Sequence, residues 1–321
     1  MSPEQRTAGL KLQALPTVRK SAQQSGPWAP RSRKRLGTRL IEVFITANGM
    51  AAILIMLLLF LFLLKDGLHV FHFTPVKTFL AGRNWFPLDE EFVTLPLLLG
   101  SLYVTLGAVL FAVPLGVACA LYLTEVAPPL LREILKPTIE VLAGIPSVVI
   151  GFLGVMILAP ALKQVFHLPT GLTGLAGAIL LAFMALPTII SIAEDALAAV
   201  PEDYRLNALA LGATRWQALR GVILPAAGSG IVAAVMLGVG RAIGETMTVL
   251  MVTGNAAVLP GSLLLPLRTM TATIAQEMGE TVQGSSHYYA LFGIGLVLFL
   301  ITFVINLVAD IALHRGDGAR S

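Results

Sequence analysis

The stretch "LNALALGATRWQALRGVILP", Leu206 to Pro225, lies between two long apolar runs but is itself amphipathic. Pro201 stands before it, Gly212 interrupts it, and Pro225 closes it before the next apolar run. Because glycine permits tight turns and proline punctuates helices, the pattern predicts two short helices joined by a glycine turn. Such a segment either floats on lipid headgroups or inserts as an amphipathic helix into a groove of a cytoplasmic partner.

The composition around this stretch indicates an integral membrane protein. Of the 321 residues, 56% are hydrophobic and 12% are charged, whereas a soluble domain carries roughly 25% charged residues. The single cysteine, Cys119, makes an intrachain disulfide and a zinc cluster impossible. His69 and His72 lack further ligands, so an aromatic turn is favoured there over a metal site.

Hydropathy predicts an all-α membrane protein with six transmembrane helices. About 20 apolar residues are needed to cross the hydrocarbon. The predicted spans are 41–64, 95–123, 139–162, 172–193, 228–252 and 289–312. Prolines inside three of them are compatible with membrane helices, because neighbouring groups satisfy the freed backbone atoms.

Charge predicts the orientation. Residues 1–39 form a basic segment with nine Lys or Arg and one acidic residue, Glu4. Basic flanks stay on the cytoplasmic side, so we expect a cytoplasmic, disordered tail at 1–39 and a cytoplasmic tail at 314–321. Six spans then place both termini and the segment 194–227 inside the cell.

The segment 206–225 resembles the E-A-A-x3-G-x9-I-x-L-P coupling motif of permease subunits in binding-protein-dependent ABC importers. Gly212, Val222, Leu224 and Pro225 are in register with that motif. The stretches "GRAIGETMTVLMVTGNA" and "LAGIPSVVIGFLG" resemble the phosphate importers, and "RTMTATIAQEMGE" is similar to the subunit type called PstC rather than PstA. The resemblance covers about residues 40–313 and implies the type I importer permease fold.

The resemblance also implies partners and roles. It implies a second permease subunit of PstA type, two cytoplasmic ATPase subunits of PstB type and an extracytoplasmic phosphate-binding protein of PstS type, in a bacterial inner membrane. The residues expected to couple to the ATPase are Ala208, Leu209, Leu211, Gly212 and Pro225. Leu206 and Asn207 replace the motif's Glu-Ala, so a charged contact to the ATPase is missing or has moved to Glu202 or Asp203.

The fifth predicted span, "GVGRAIGETMTVL" at 238–250, contains two charges. Arg241 and Glu245 are spaced i,i+4, which predicts that they share a helix face and that this face points into the bundle. The arginine fork matches phosphate oxygens, so we expect Arg241 to bind the anion transiently and Glu245 to compete for the guanidinium. A buried pair that only fixes helix packing is the alternative. Gly240 and Gly244 predict close packing against another helix.

Several function classes remain to be separated. The sequence has no G-x-x-x-x-G-K-[ST] motif, so no ATPase site of that type is expected, and no cofactor is expected. Another oxyanion such as sulfate or molybdate, and the PstA-type subunit, are alternatives within transport. A membrane-embedded enzyme using Arg241 and Glu245, and a receptor or scaffold, are alternatives from other classes.

Overall fold

The computed structural model describes the backbone of residues 36–318 and the side chains of residues 39–308 and 311. The predicted tail 1–39 lies almost wholly outside these residues, so its disorder stays a prediction. Within the described part the regular elements are helices, and the only bridges are isolated ones at Phe86–Glu91 and Gly254–Leu267. The expected all-α class is therefore confirmed.

The helices follow one another through short connections. In chain order they are α1 (Leu36–His69), α2 (Val76–Ala81), α3 (Leu95–Glu125), α4 (Pro129–Ala143), α5 (Ser147–Val165), α6 (Gly174–Ala198), α7 (Glu202–Ala210), α8 (Arg215–Ala226), α9 (Gly228–Gly244), α10 (Met247–Val252), α11 (Met270–Glu277) and α12 (Ser286–Gly318). Because α12 continues to Gly318, most of the segment predicted as a C-terminal tail has a helical backbone.

Five of these helices are long and apolar enough to cross a membrane: α1, α3, α5, α6 and α12. Helices α8 and α9 meet the same criterion together, as a pair bent by 67°. The predicted number of six spans therefore holds when the bent pair is counted as one. Pro114 lies inside α3 and Pro187 inside α6 without ending either helix.

The third span differs from the prediction. We expected one helix over 139–162, but α4 ends at Ala143 and α5 begins only at Ser147. The break coincides with Gly144 and Pro146, and proline disfavours helical geometry in the residue before it. The apolar span is therefore Ser147–Val165, and the amphipathic α4 is a separate element packed on α6.

The main core forms where α3, α6 and α9 meet. Small side chains dominate it, among them Ala108, Ala112, Ala178, Ala182, Ala185 and Ala242. A Cβ added at Gly107 would lie 2.8 Å from Ala178, and one added at Gly116 would lie 2.7 Å from Ile189. In an apolar solvent helix association depends on such close packing rather than on hydrophobic burial, which explains the choice of residues.

The chain divides into two compact units, at the boundary between Leu57 and Leu58. The described part of the first unit is the N-terminal portion of α1. Its side chains from Arg39 onward are exposed, including Ile41, Val43 and Phe44. An apolar helix exposed on all sides is suited to a lipid environment.

Polar contacts organise the segment between α10 and α12. Glu277 accepts hydrogen bonds from Arg268 Nη1 at 2.6 Å and from Trp85 Nε1 at 3.0 Å, and its Oε2 lies 2.9 Å from His287 Nε2. The Trp85 side chain is buried. One carboxylate therefore joins the loop before α3, the loop before α11 and the start of α12.

Candidate translocation site and coupling segment

The fifth predicted span is broken at Glu245. Helix α9 ends at Gly244, Glu245 has extended backbone angles of φ −68° and ψ 134°, and α10 starts at Met247. The prediction of one helix over 228–252 is therefore wrong, whereas the prediction that Arg241 and Glu245 share a helix face stays a prediction. Within the described residues no ion pair joins them.

Glu245 instead caps the helix that follows it. Its Oε1 accepts hydrogen bonds from the backbone N–H groups of Thr246 at 3.1 Å and Thr248 at 3.2 Å. The first N–H groups of a helix have no partner within the helix, so a carboxylate can accept hydrogen bonds from them. Its negative charge is also stabilised by the positive end of the helix dipole. This interaction stabilises the start of α10 directly after the end of α9.

The guanidinium of Arg241 is half-buried and is held by two neutral acceptors. Its Nη1 donates to the hydroxyl of Thr188 on α6 at 3.0 Å, and its Nη2 donates to the carbonyl of Ala143 at 3.1 Å. Both acceptors are uncharged, and among the described residues no carboxylate lies within ion-pair distance. The side chain is oriented, while its charge remains available.

Sequence reasoning missed both acceptors of Arg241. Thr188 follows Pro187 in an otherwise apolar helix, and a hydroxyl at membrane depth was the available signal. The Ala143 carbonyl carried no sequence signal, because it becomes an acceptor only where α4 ends and leaves its last carbonyls without helical partners.

Threonine hydroxyls surround the break between α9 and α10. Thr248 donates to the carbonyl of Ser147 at 3.0 Å, and Thr271 donates to the carbonyl of Glu245 at 2.8 Å. The carbonyl of Glu245 at the break therefore has a polar partner from α11, and the Thr248 hydroxyl ties the start of α10 to the start of α5. Non-helical backbone is tolerated at membrane depth where such partners exist.

The predicted packing glycines are not used within this chain. An added Cβ would meet nothing within 4 Å at Gly240 or at Gly244. The close approaches of α9 occur elsewhere, at Gly230 against Ala196 and at Gly238 against Ile189. The prediction that Gly240 and Gly244 pack a helix is wrong inside the described chain and stays a prediction for contact with another subunit.

The coupling segment has the predicted arrangement of two short helices with a turn at Gly212. Gly212 has φ +87°, a conformation that residues with a Cβ rarely adopt. Thr214 then starts α8 with a capping box, in which Thr214 Oγ1 accepts from the N–H of Gln217 and the Gln217 side chain accepts from the N–H of Thr214. The turn geometry is confirmed, and docking to a partner stays a prediction.

The exposed face of this segment differs in part from the expected one. Ala208 is 9% exposed and does not face a partner, which corrects the expectation for that residue. Leu211 is 90% exposed, and Leu209, Leu206 and Trp216 are exposed as well. Leu206 and Asn207, which replace the Glu-Ala of the motif, are exposed. The nearby acidic residues Glu202 and Asp203 are exposed as well. Pro225 is exposed at the end of α8.

Ion pairs tie the coupling segment and α4 to the membrane helices, and sequence reasoning did not find them. Arg205 of α7 donates to Glu125 at the end of α3 at 2.5 Å. A cavity of about 650 Å³ opens beside this pair, lined by Glu202, Leu209 and Trp216 among others. The buried Glu194 of α6 binds both Arg132 and Lys136 of α4.

These features define a multi-pass helical membrane protein with an arginine that lies beside a broken helix and has no acidic partner among the described residues, and with an exposed two-helix segment. That arrangement is typical of a transport component. The chain belongs to the family of binding-protein-dependent transport system inner membrane components, whose pattern matches residues 112–315. This match confirms the resemblance seen in residues 206–225.

Relatives cover most of the chain. It is 42% identical over 271 residues to the probable ABC transporter permease protein YqgH of Bacillus subtilis, covering 83% of this chain and 88% of that protein. It is 39% identical over 259 residues to the phosphate transport system permease protein PstC of Mesorhizobium japonicum, covering 75% and 79%. It is 32% identical over 310 residues to PstC of Haemophilus influenzae, covering 89% and 97%.

Solved structures show the same fold at low sequence identity. A chain of a bacterial ABC transporter that imports alginate matches with a TM-score of 0.58 and 17% identity, covering 88% of this chain and 99% of that one. A chain of the MetNI methionine ABC transporter in an inward-facing conformation matches with a TM-score of 0.54 and 18% identity, covering 68% and 93%. The permease fold expected from the sequence is thereby confirmed.

Proposed function

We propose that this chain is the PstC-type permease subunit of an ATP-driven importer of inorganic phosphate. The observation that carries the proposal is Arg241, an arginine in an apolar helix held by Thr188 and the Ala143 carbonyl and by no described carboxylate. A cation at membrane depth is costly, which favours a role for its charge. The relatives named as phosphate permeases support phosphate as the anion.

The geometry supports a transient anion site. A guanidinium has five N–H donors in a planar fork, and two of its nitrogens donate to Thr188 and to Ala143. The remaining donors match two phosphate oxygens at once. The Ala143 carbonyl shares the guanidinium with the anion, so a neutral acceptor keeps part of its hydrogen-bonding capacity and helps the anion to leave.

In this proposal Glu245 acts through the backbone rather than by neutralising Arg241. Its carboxylate keeps α10 capped and so maintains the break at residues 245–246. The break ends α9 three residues after Arg241, which places the guanidinium in the last turn of a helix rather than in the middle of one. Glu245 therefore tunes the site by fixing where α9 stops.

The proposed assembly contains the partners that the resemblance implies. They are a PstA-type permease, two PstB-type ATPases and a PstS-type binding protein, with both termini of this chain cytoplasmic in a bacterial inner membrane. The exposed Leu209 and Leu211, with the glycine turn beside them, would face an ATPase. Family membership supports an ATPase and a binding protein in general, and the relatives named PstC support this particular set.

Uptake of labelled phosphate into vesicles that contain the full complex tests the proposal. We expect ATP-dependent phosphate uptake that fails with Arg241→Gln while the complex remains assembled, and little recovery with Arg241→Lys, since an ammonium lacks the fork. Labelled sulfate and molybdate are run in parallel, because the fork suits other tetrahedral anions. Normal uptake by Arg241→Gln, or transport of sulfate without phosphate, would contradict the proposal.

A further inference from the structure

Glu194 is a buried carboxylate that the proposed mechanism has not used. It lies on α6 with 1% of its side chain exposed. One oxygen accepts a hydrogen bond from Arg132 Nη2, and the other accepts from Lys136 Nζ at 2.5 Å. Both cations belong to α4, so this buried carboxylate fastens that helix to α6 at two points, and the exposed Asp195 adds a second bond to Lys136. Burying a carboxylate is costly unless it is paired, which shows that the pairing is part of the local structure.

Helix α4 depends on polar contacts for its position. None of its residues is buried, and its ends are marked by Pro128 and by Gly144. An element with few buried apolar contacts has low local stability. The pairs with Glu194 therefore contribute more to the placement of α4 than they would in a helix with a buried face.

The other end of α4 contacts the proposed anion site. Ala143 is the last residue of α4, and its carbonyl accepts from Arg241 Nη2 at 3.1 Å. Lys136 and Ala143 are about two helical turns apart, roughly 10 Å along the axis. A displacement of α4 at Lys136 would therefore also displace the Ala143 carbonyl.

We propose that Glu194 is a positioning residue for phosphate translocation, which acts through α4 to hold the Ala143 carbonyl against Arg241. The inference depends on the proposed role of Arg241 and adds a residue on a different helix to that site. Glu194 itself does not touch the anion. Its carboxylate sets how firmly the competing carbonyl is presented to the guanidinium.

A distance measurement tests the positioning directly, in the complete complex and without transport. Spin labels are attached to cysteines at Thr138 of α4 and Ala198 of α6, both exposed, with Cys119 replaced by serine. We expect one narrow distance distribution for the parent protein and a broadened or shifted distribution for Glu194→Gln. Lys136→Gln, which changes a partly exposed residue and leaves Arg132 on Glu194, should broaden it in the same direction.

Asp195→Asn is the matched control. Asp195 is the neighbouring carboxylate, but it is exposed and its described partner is Lys136 alone. We expect its distance distribution to remain close to that of the parent. If Glu194→Gln and Lys136→Gln both leave the distribution unchanged, the inference is wrong, whatever their uptake.

Uptake then separates positioning from a merely structural role. We expect Glu194→Gln to lower the maximal phosphate uptake rate about tenfold, the size of one lost hydrogen bond to a charged group. The phosphate concentration for half-maximal uptake should not change, because the separate binding protein delivers the anion. Glu194→Asp, which keeps the charge, should recover much of the rate.

The two proposals fail in different ways. If Arg241→Gln transports phosphate normally, the proposed function fails. If Arg241→Gln blocks uptake, the proposed function stands. The positioning role of Glu194 is then wrong if Glu194→Gln loses uptake with an unchanged α4–α6 distance distribution. It is also wrong if Glu194→Gln raises the phosphate concentration for half-maximal uptake at an unchanged maximal rate.

Discussion

Glu245 and Thr248 are joined by a hydrogen bond from the backbone N–H of Thr248 to Glu245 Oε1 at 3.2 Å, and this bond starts a new helix inside an apolar run. Four residues before Glu245, Arg241 binds a threonine hydroxyl and a carbonyl instead of the carboxylate. The two charged residues of the run therefore have separate roles. Glu245 caps the backbone at the start of α10, and Arg241 carries a positive charge that has no acidic partner among the described residues.

The first prediction tests the capping role of Glu245. Glu245→Gln keeps a side-chain oxygen that accepts from the N–H groups of Thr246 and Thr248, whereas Glu245→Ala removes it. Loss of a cap costs about 0.5–2 kcal/mol, so we expect uptake to fall several-fold further in Glu245→Ala than in Glu245→Gln. Phosphate uptake by both variants, normalised to protein in the membrane, measures the difference. Equal loss in the two variants would show that the charge matters rather than the cap.

The second prediction concerns Thr188, which orients the guanidinium of Arg241. A hydrogen bond to a charged group contributes about 1.5–3 kcal/mol, so Thr188→Val should lower the uptake rate roughly tenfold or more. Thr188→Ser keeps the hydroxyl and should retain most of the activity. Thr302→Val is the control, because Thr302 bonds only to carbonyls of its own helix. Uptake at the wild-type rate by Thr188→Val would show that Thr188 does not contribute to the site.

The sequence predicted the helical class, the number of spans and the glycine turn, because each depends on local features. Hydropathy over about 20 residues identifies a span, and Gly212 has the positive φ that its position in the motif suggested. The break at Glu245 was missed because the apolar composition continues on both sides of it. A charged residue within such a run is read as a group on a helix face, although it also serves as a cap.

The contacts of the site were less predictable, since they join residues far apart in the chain. Arg241 meets Ala143 only because Gly144 and Pro146 end α4 where they do. Ala143 has no polar side chain that could have marked it in the sequence. In the same way, Glu194 was counted with the cytoplasmic segment, and only the packing of α4 on α6 shows it as a buried carboxylate with two cationic partners.

The third prediction concerns the turn at Gly212. An added Cβ would meet nothing within 4 Å, so the cost of a substitution is conformational rather than steric. A non-glycine residue at this φ costs roughly 1–2 kcal/mol, so Gly212→Ala should reduce the uptake obtained per ATP hydrolysed. Gly212→Asn should be milder, because asparagine adopts left-handed geometry more readily.

Gly221→Ala is the control for the glycine turn. Gly221 is also open to an added Cβ but has no positive φ, so we expect normal coupling. The measurement is the ratio of phosphate transported to ATP hydrolysed in reconstituted vesicles. A Gly212→Ala complex with an unchanged ratio would contradict the role of the turn in coupling.

The fourth prediction uses the pKa of Lys136, which hydrogen bonds to Asp195 and Glu194 raise above the ordinary value of 10.5. The stabilisation from a raised pKa is fully present below the unfolded value and is lost as pH rises through the folded value. The groups acting on Lys136 are Asp195 and Glu194 of α6, and Arg132 of its own helix shares Glu194 with it. We therefore expect the distribution of distances between the labels at Thr138 and Ala198 to be constant from about pH 7 to 9. It should broaden only above about pH 10.5. Broadening between pH 7 and 9 would contradict the assignment.

The last prediction separates the glycines of α9 into two groups. A Cβ at Gly238 would lie 2.5 Å from Ile189 Cγ1 in the core of this chain, whereas one at Gly240 would meet nothing within 4 Å. Overpacking a core costs about 1–3 kcal/mol, so Gly238→Ala should lower the Tm of the assembled complex by several degrees, and Gly240→Ala should leave it unchanged. If a second permease subunit covers the Gly240 face, the bulkier Gly240→Leu should reduce the amount of that subunit that copurifies with a tagged chain. Normal assembly of Gly240→Leu would show that this glycine packs no helix in the complex either.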